Sequence, residues 1–145
     1  MCTVQPGEGR ILLDMRTEAG TTAALGGLYP ASSLYMGCDY VASHKDVVRK
    51  LAIAFVKTLG FITSNDAATI AAKMPADYAG SDQALYVKSI ADSKGMFNPT
   101  GVMDAKGAEN VLAVLGKFSP SVKPKMDSID VTKTYTTEFA AAAKG

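Results

Sequence analysis

Residues 26–62 read GGLYPASSLYMGCDYVASHKDVVRKLAIAFVKTLGFI, and this stretch decides the predicted fold. From residue 43 onward, apolar side chains recur at the three- or four-residue spacing of one helical face: Val48, Leu51, Phe55, Leu59 and Ile62. Ser43 and Asp46 have the spacing of a capping box at the start of this helix. The sequence therefore predicts an amphipathic helix over residues 43–62, with the apolar face in the core.

The residues before this helix alternate from one side of the chain to the other, which is typical of a β-strand over residues 34–41. A short apolar run in residues 10–14, Ile11-Leu12-Leu13, indicates an earlier buried strand. Residues 15–27 between them have no clear period and are predicted to form a loop that has room for one helical turn. Two strands do not make a stable sheet by themselves, so the pattern predicts part of a larger α/β domain.

Capping residues, prolines and glycines divide the rest of the chain into about five helices that follow the two short strands. Asp104, for example, precedes an apolar helical pattern, and Pro75 ends an earlier one. The prediction is therefore a helix-rich α/β fold in a single unit. Residues 1–9 form a flexible lead-in, residues 10–41 hold the strands and residues 42–145 are the helical part.

The composition is that of a globular chain rather than a disordered or membrane-spanning one. Of 145 residues, 48% are hydrophobic and 20% are charged. Lys and Arg number 15 against 14 Asp and Glu, a balance that gives no electrostatic footprint for nucleic acid. The longest apolar runs are too short and too interrupted to cross a bilayer. We therefore expect neither a nucleic-acid partner nor a membrane span.

The order of these features resembles the carboxy-terminal part of the periplasmic solute-binding proteins of ABC importers, in the group for nitrate, sulfonates, taurine and thiamine precursors. Four segments carry the resemblance: RILLDMRT at 10–17, GGLYPASSLY at 26–35, VASHKDVV at 41–48 and MFNPTGVM at 96–103. It covers nearly the whole chain from Arg10, but only about half of such a protein. One departure is Lys45, where the family usually has proline.

The resemblance implies a partial lobe like that of the type II periplasmic binding proteins, with a crossing between two lobes inside residues 10–41. It implies the substrate-binding component of an importer for a small anionic or nitrogen- or sulfur-containing solute, not ligand-competent alone. The implied partners are the solute and the ABC permease, both in the full-length form. The location is periplasmic if the full-length precursor carries a signal peptide and cytoplasmic otherwise, since residues 1–8 lack signal features.

Tyr29, Ser32 and Ser33 are the predicted ligand-binding residues, because an aromatic ring and small hydroxyls at a strand entrance can line a cleft. Arg16 could neutralise an anionic ligand. The alternative is structural: Tyr29 and Pro30 form a turn, the serines satisfy backbone groups, and Arg16 is solvated. The sequence leaves both interpretations open.

No catalytic residue, metal site or cofactor is predicted. His44 is the only histidine and has no neighbouring ligand pattern, and the two cysteines, Cys2 and Cys38, are too few for a disulfide scaffold. Two alternatives remain: a stand-alone structural or interaction protein derived from the same fold, and a relative of pyrimidine-forming enzymes. Unpaired strand edges also predict a homo-oligomer.

Overall fold

In the computed structural model, which describes residues 9–143, every regular element is helical. The α-helices are α1 (Glu18–Leu25), α2 (Cys38–Ser43), α3 (Lys45–Ser64), α4 (Ala67–Ala71), α5 (Gln83–Ser93), α6 (Ala105–Phe118) and α7 (Glu138–Ala142). Short 3-10 turns cover Ala76–Tyr78, Lys94–Met96, Lys123–Ser128 and Val131–Lys133. The predicted flexible lead-in lies outside the described residues, apart from Gly9, and so does Cys2.

The predicted α/β fold with two short strands is wrong, because residues 9–143 contain no strand. The run at residues 11–13 has no regular structure, and Leu12 is 77% exposed. Residues 34–37 are also irregular, while 38–41 begin α2, which leaves Cys38 exposed on a helix. The physical reason is that alternation assigns side chains to faces, whereas a strand exists only when a neighbouring strand pairs with its backbone.

Residues 15–27, predicted to be a loop with room for one helical turn, contain two turns of helix in α1. The Thr17 hydroxyl accepts a hydrogen bond from the Gly20 amide at 3.1 Å and caps the first turn. Gly26 ends the helix with φ of 85°, a left-handed conformation that glycine adopts without a Cβ penalty. These two local signals make a helix that the apolar pattern did not reveal.

Aspartate side chains start three of the later helices. Asp66, Asp82 and Asp104 each accept a hydrogen bond from the amide three residues on, at 2.7, 2.8 and 2.6 Å. The longest helix, α3, starts differently, because its N-cap residue His44 makes no side-chain capping bond. The Ser43 hydroxyl instead donates to the Asp39 carbonyl at 2.6 Å, so the predicted capping box is wrong.

The helix predicted over residues 43–62 is confirmed as α3, but its predicted core face is only partly buried. Val48 is 6% exposed, whereas Leu51 is 37% and Phe55 is 51% exposed. The turn at Gly101 covers Leu59 of that face and Val56 beside it, since a Cβ there would meet both side chains at 3.3 Å each. The packed side of α3 therefore runs through Val48, Val56 and Leu59, and the apolar surface of α3 is wider than its neighbours cover.

The core is made mostly of small side chains spread over several helices. Its buried apolar members are Val48, Ala67, Ile70, Ala71, Ala108 and Phe139. Helix α3 contacts α7, α4 contacts α5, and α6 contacts the turn at Lys123–Ser128. No side chain in residues 9–143 falls below 2% exposure. The described helices therefore share a thin core that is nowhere fully enclosed.

Polar contacts join parts of the described chain that are distant in sequence, and two of them lie beside α3 and α6. The Lys94 ammonium donates to the Asn65 carbonyl at 2.6 Å, which places a cation at the carboxyl end of α3 and satisfies a free carbonyl there. The Asn110 side-chain amide on α6 donates to the Leu28 carbonyl at 3.1 Å. The second bond fixes the irregular segment that holds Tyr29 along the side of α6.

Candidate functional site

Arg16 is held by two carboxylates. Its Nε and Nη2 donate to the Asp14 oxygens at 2.8 and 2.7 Å, and its Nη1 lies 3.3 Å from Asp92 Oδ2 on α5. Hydrogen bonds from the Arg16 side chain and backbone lower the pKa of Asp14 from 3.8 to about 2, and the bond to Asp14 raises the pKa of Arg16. An anionic solute would have to displace Asp14 before it could bind this guanidinium.

The other three predicted residues lie together on the irregular segment between α1 and α2. Tyr29 is half-buried, while Ser32 and Ser33 are exposed. Pro30 packs on α6, because a Cβ on Gly107 would lie 3.1 Å from Pro30 Cδ. This contact and the hydrogen bond from Asn110 to Leu28 attach residues 28–30 to the side of α6.

The contacts of the described residues do not unite the four predicted ligand-binding residues into one site. The partners of Arg16 are Asp14 and Asp92, and no described contact joins it to Tyr29, Ser32 or Ser33. The arginine therefore belongs to a link between residues 14–16 and α5. Tyr29, Ser32 and Ser33 share only the segment between α1 and α2.

A groove of about 480 Å³ lies elsewhere, between the second half of α3 and α4. Apolar side chains from both helices line it, with two lysines among them: Phe61, Ile62, Ile70, Met74, Lys57 and Lys73. Sequence reasoning missed this groove because it depends on how α4 turns back on α3. The only local signal for that turn is the Asn65–Asp66 helix boundary, where Asp66 starts α4.

His44 and Cys38 lie in or beside the short helix α2. The His44 ring stacks on Tyr40 with centroids 4.3 Å apart, and its Nδ1 lies 2.8 Å from the Ser43 hydroxyl. That hydroxyl also bonds to Asp39 one turn earlier, which is the pattern of a local helix end. Within the described residues, no group of three His, Cys, Asp or Glu side chains is placed to hold a metal ion.

The comparisons with known proteins add no identification. A scan against protein-family models, a search of curated proteins and a search of solved structures each found no match. The resemblance to solute-binding proteins therefore stays a prediction based on the four segments quoted above. No helix in residues 9–143 is long and apolar enough to cross a membrane.

Proposed function

We propose that this chain is the carboxy-terminal portion of the substrate-binding component of an ABC importer, for a small anionic or nitrogen- or sulfur-containing solute. The proposal rests on the four sequence segments and their order, since the fold class first predicted from them is wrong. In this proposal the chain has no catalytic role and does not bind solute alone. The full-length protein binds the solute and delivers it to the permease, in the periplasm if its precursor carries a signal peptide.

The observation that supports the proposal is the exposure of two apolar segments before α2. Ile11, Leu12 and Leu13 are 50%, 77% and 68% exposed, and Leu34 and Tyr35 are 49% and 90% exposed. Burying a large apolar side chain stabilises a protein by about 1.5–3 kcal/mol relative to leaving it in water. Contiguous apolar segments left open are typical of surfaces that contact more protein. In the proposed full-length form, the rest of the polypeptide covers them.

The geometry of the candidate site also supports the expectation that the chain alone does not bind solute. Small-molecule sites bury about 70–90% of the ligand surface, which requires walls on more than one side. Tyr29 is half-buried and Ser32 and Ser33 are exposed, so these residues do not enclose a ligand by themselves. Titration calorimetry of the chain with taurine, nitrate, an alkanesulfonate and a pyrimidine should give no heat of specific binding. Micromolar binding of any of them would contradict this expectation.

The size and location of the native protein test the proposal directly. An antibody raised against the chain should detect, in the source cells, a polypeptide of roughly twice the 15.1 kDa of this chain, because the resemblance covers about half of such a protein. Osmotic shock should release it with periplasmic markers. A native cytoplasmic polypeptide of 15.1 kDa would overturn the proposal.

The site residues are tested in the full-length protein. Once a solute has been found in a thermal-shift screen, Tyr29→Ala and the double change Ser32→Ala/Ser33→Ala should each weaken its affinity at least about tenfold. The matched control is Tyr78→Ala, since Tyr78 is 65% exposed on a distant 3-10 turn. Equal losses of solute affinity for Tyr29→Ala and Tyr78→Ala would show that Tyr29 does not contact the solute.

A stand-alone interaction protein is the second candidate, and one observation favours it. Helix α3 leaves an uncharged apolar face open, with Phe55 51% exposed. The homo-oligomer was predicted from unpaired strand edges, and that basis is gone because residues 9–143 form no strand. No observation on the described residues favours the third reading, a relative of pyrimidine-forming enzymes.

A further inference from the structure

The groove between α3 and α4 has the dimensions of a small-molecule site. Its volume of about 480 Å³ lies within the range of about 300–1,000 Å³ that is usual for ligand pockets. Lys57 and Ile62 are the first and last residues of α3 that line it, and they are about 7.5 Å apart along the helix axis. A partner protein would need a contact surface of about 800 Å² on each side, so the groove suits a small molecule better.

Apolar side chains from two helices form the walls of the groove. Phe61 and Ile62 are half-buried on α3, and Ile70 on α4 is only 8% exposed. Thr58 also lines the groove, but its hydroxyl already donates to the Ala54 carbonyl at 2.8 Å. An alkyl chain placed here therefore gains apolar contacts on both sides, and it takes no hydrogen-bond partner from the Thr58 hydroxyl.

The junction from which both walls leave is held by hydrogen bonds. The Asn65 side chain donates to the Phe61 carbonyl at 2.8 Å, and the Asn65 carbonyl accepts from the Lys94 ammonium at 2.6 Å. Asp66 then starts α4 by accepting from the Thr69 amide at 2.7 Å. These contacts form the groove before a ligand arrives, which lowers the ordering cost of binding.

Two lysines bring positive charge to the groove, and no acidic residue lines it. Lys57 and Lys73 are both exposed, and neither belongs to an ion pair within residues 9–143. Lys57 is the lining residue of α3 farthest from the junction, and Lys73 follows the carboxyl end of α4. Both ammonium groups therefore lie toward the end of the groove away from the junction. A ligand carboxylate at that end would meet two cations and no competing carboxylate from the lining residues.

We propose that the groove binds an amphipathic carboxylate, namely an unbranched fatty acid of medium length. Its alkyl chain lies against Phe61 and Ile70, and its carboxylate pairs with Lys57 and Lys73. This site is separate from the solute site predicted at Tyr29 and does not depend on the importer proposal. Taurine and nitrate lack an alkyl chain that fills the groove, so we still expect no binding of these solutes to the chain alone.

Calorimetry of the 145-residue chain with hexanoate, octanoate and decanoate tests the apolar walls. Decanoate should bind in the range of roughly tens to hundreds of micromolar, as is usual for a ligand of this size in an open groove. Because burial of each methylene adds to the affinity, the affinity should rise about two- to fourfold per added methylene. The proposal is overturned if decanoate shows no saturable binding below about 1 mM, or if affinity does not depend on chain length.

Decanol has the same alkyl chain without the charge and tests the lysines. It should bind the wild type at least about fivefold more weakly than decanoate does. In the double variant Lys57→Gln/Lys73→Gln the two ligands should bind with similar affinity, while circular dichroism stays unchanged because both lysines are exposed. The matched control is Lys45→Gln, at an exposed lysine about 18 Å before Lys57 along α3, which should keep the wild-type ratio. Equal binding of decanol and decanoate to the wild type, or an equal change of the ratio in Lys45→Gln, contradicts the proposal.

Amide NMR spectra of the isotope-labelled chain test where decanoate binds. The shifts caused by decanoate should be largest in residues 57–62 and 70–74, which line the groove. Shifts centred on the exposed residues 51–55 of α3 would reveal general apolar binding and overturn the proposal. Tyr29→Ala should leave decanoate affinity unchanged, so failure of the groove and failure of the solute site are distinguishable.

Discussion

Helices α3 and α6 are both amphipathic, but their surroundings differ. In the 20 residues of α3 only Val48 is buried. In the 14 residues of α6, Gly107, Ala108 and Gly116 are all buried. Neighbours approach α6 closely where its side chains are small, and they reach only part of the bulky apolar surface of α3. An amphipathic apolar pattern is therefore enough to predict a helix. Which of its residues are buried depends on the size of the side chains and on which neighbouring elements contact them.

The neighbours of the two helices explain this contrast. Two glycines of α6 are covered: Pro30 lies against Gly107, and the side chain of Met126 lies against Gly116. In addition, the Asn110 side chain of α6 donates a hydrogen bond to the Leu28 carbonyl. Helix α3 is contacted by α7 and, at Val56 and Leu59, by the turn containing Gly101. Leu51, Ala54 and Phe55 on another side of α3 are exposed.

The largest effect is expected from a charge on the packed side of α3. Val48→Asp buries a carboxylate at a position that is 6% exposed, and the cost of several kcal/mol is a large part of the stability of a small domain. Thermal melts followed by circular dichroism should lose their cooperative transition. Phe55→Asp should still melt cooperatively, because Phe55 is 51% exposed. A normal melt for Val48→Asp would show that the packed side is misassigned.

A smaller effect is expected from adding the same side chain at one glycine in each helix. On α6, Gly116→Val pushes into the side chain of Met126 and should destabilise by about 1–3 kcal/mol through overpacking. On α3, Gly60→Val meets nothing within 4 Å and should be neutral or slightly stabilising, because valine favours a helix more than glycine does. Urea unfolding of both variants measures the difference, and equal midpoints would mean that Met126 moves aside freely.

A loss of about 1 kcal/mol is expected when the polar contact of α6 is removed. Asn110→Ala leaves the Leu28 carbonyl without its protein donor, and net hydrogen-bond contributions are of this size. The control is Glu109→Ala, the exposed neighbour on α6, which should change stability by less than about 0.5 kcal/mol. Urea midpoints test both variants. An unchanged midpoint for Asn110→Ala would show that the contact of Pro30 with Gly107 is enough to hold residues 28–30 against α6.

The smallest effect concerns residues 14–16, which contact helix α5 through the ion pair between Arg16 and Asp92. The pKa of Asp14 should be about 2 in the wild type and return toward 3.8 in Arg16→Gln, because Arg16 donates the hydrogen bonds that lower it. The stabilisation that ionised Asp14 gains from Arg16 is fully present above pH 3.8 and is lost as the pH falls toward 2, where Asp14 becomes protonated. Carbon-detected NMR titration measures this pKa. Arg10→Gln is the control and should leave it unchanged.

Local signals in the sequence predicted α3, α4, α5 and α6, but not α1, and they assigned part of α2 to a strand. The three- and four-residue spacing of residues 48–62 predicted α3 to within about two residues at each end, and Asp104 was recognised as the start of α6. Thr17 and Gly26 would have revealed α1 if their capping roles had been given more weight than the missing apolar period. Of the candidate site, the sequence predicted the residues but not their partners, since Asp92 lies 76 positions beyond Arg16.

The sequence by itself determined where α3, α4, α5 and α6 form, because caps, spacing and helix-ending residues act within a few positions along the chain. Only the tertiary structure decided that residues 10–14 and 34–41 are not strands, since a strand requires a partner that its own sequence does not encode. It also decided that Val48 is buried while Phe55 is open. Burial depends on which distant residues arrive at each face, and no spacing rule within one helix contains that information.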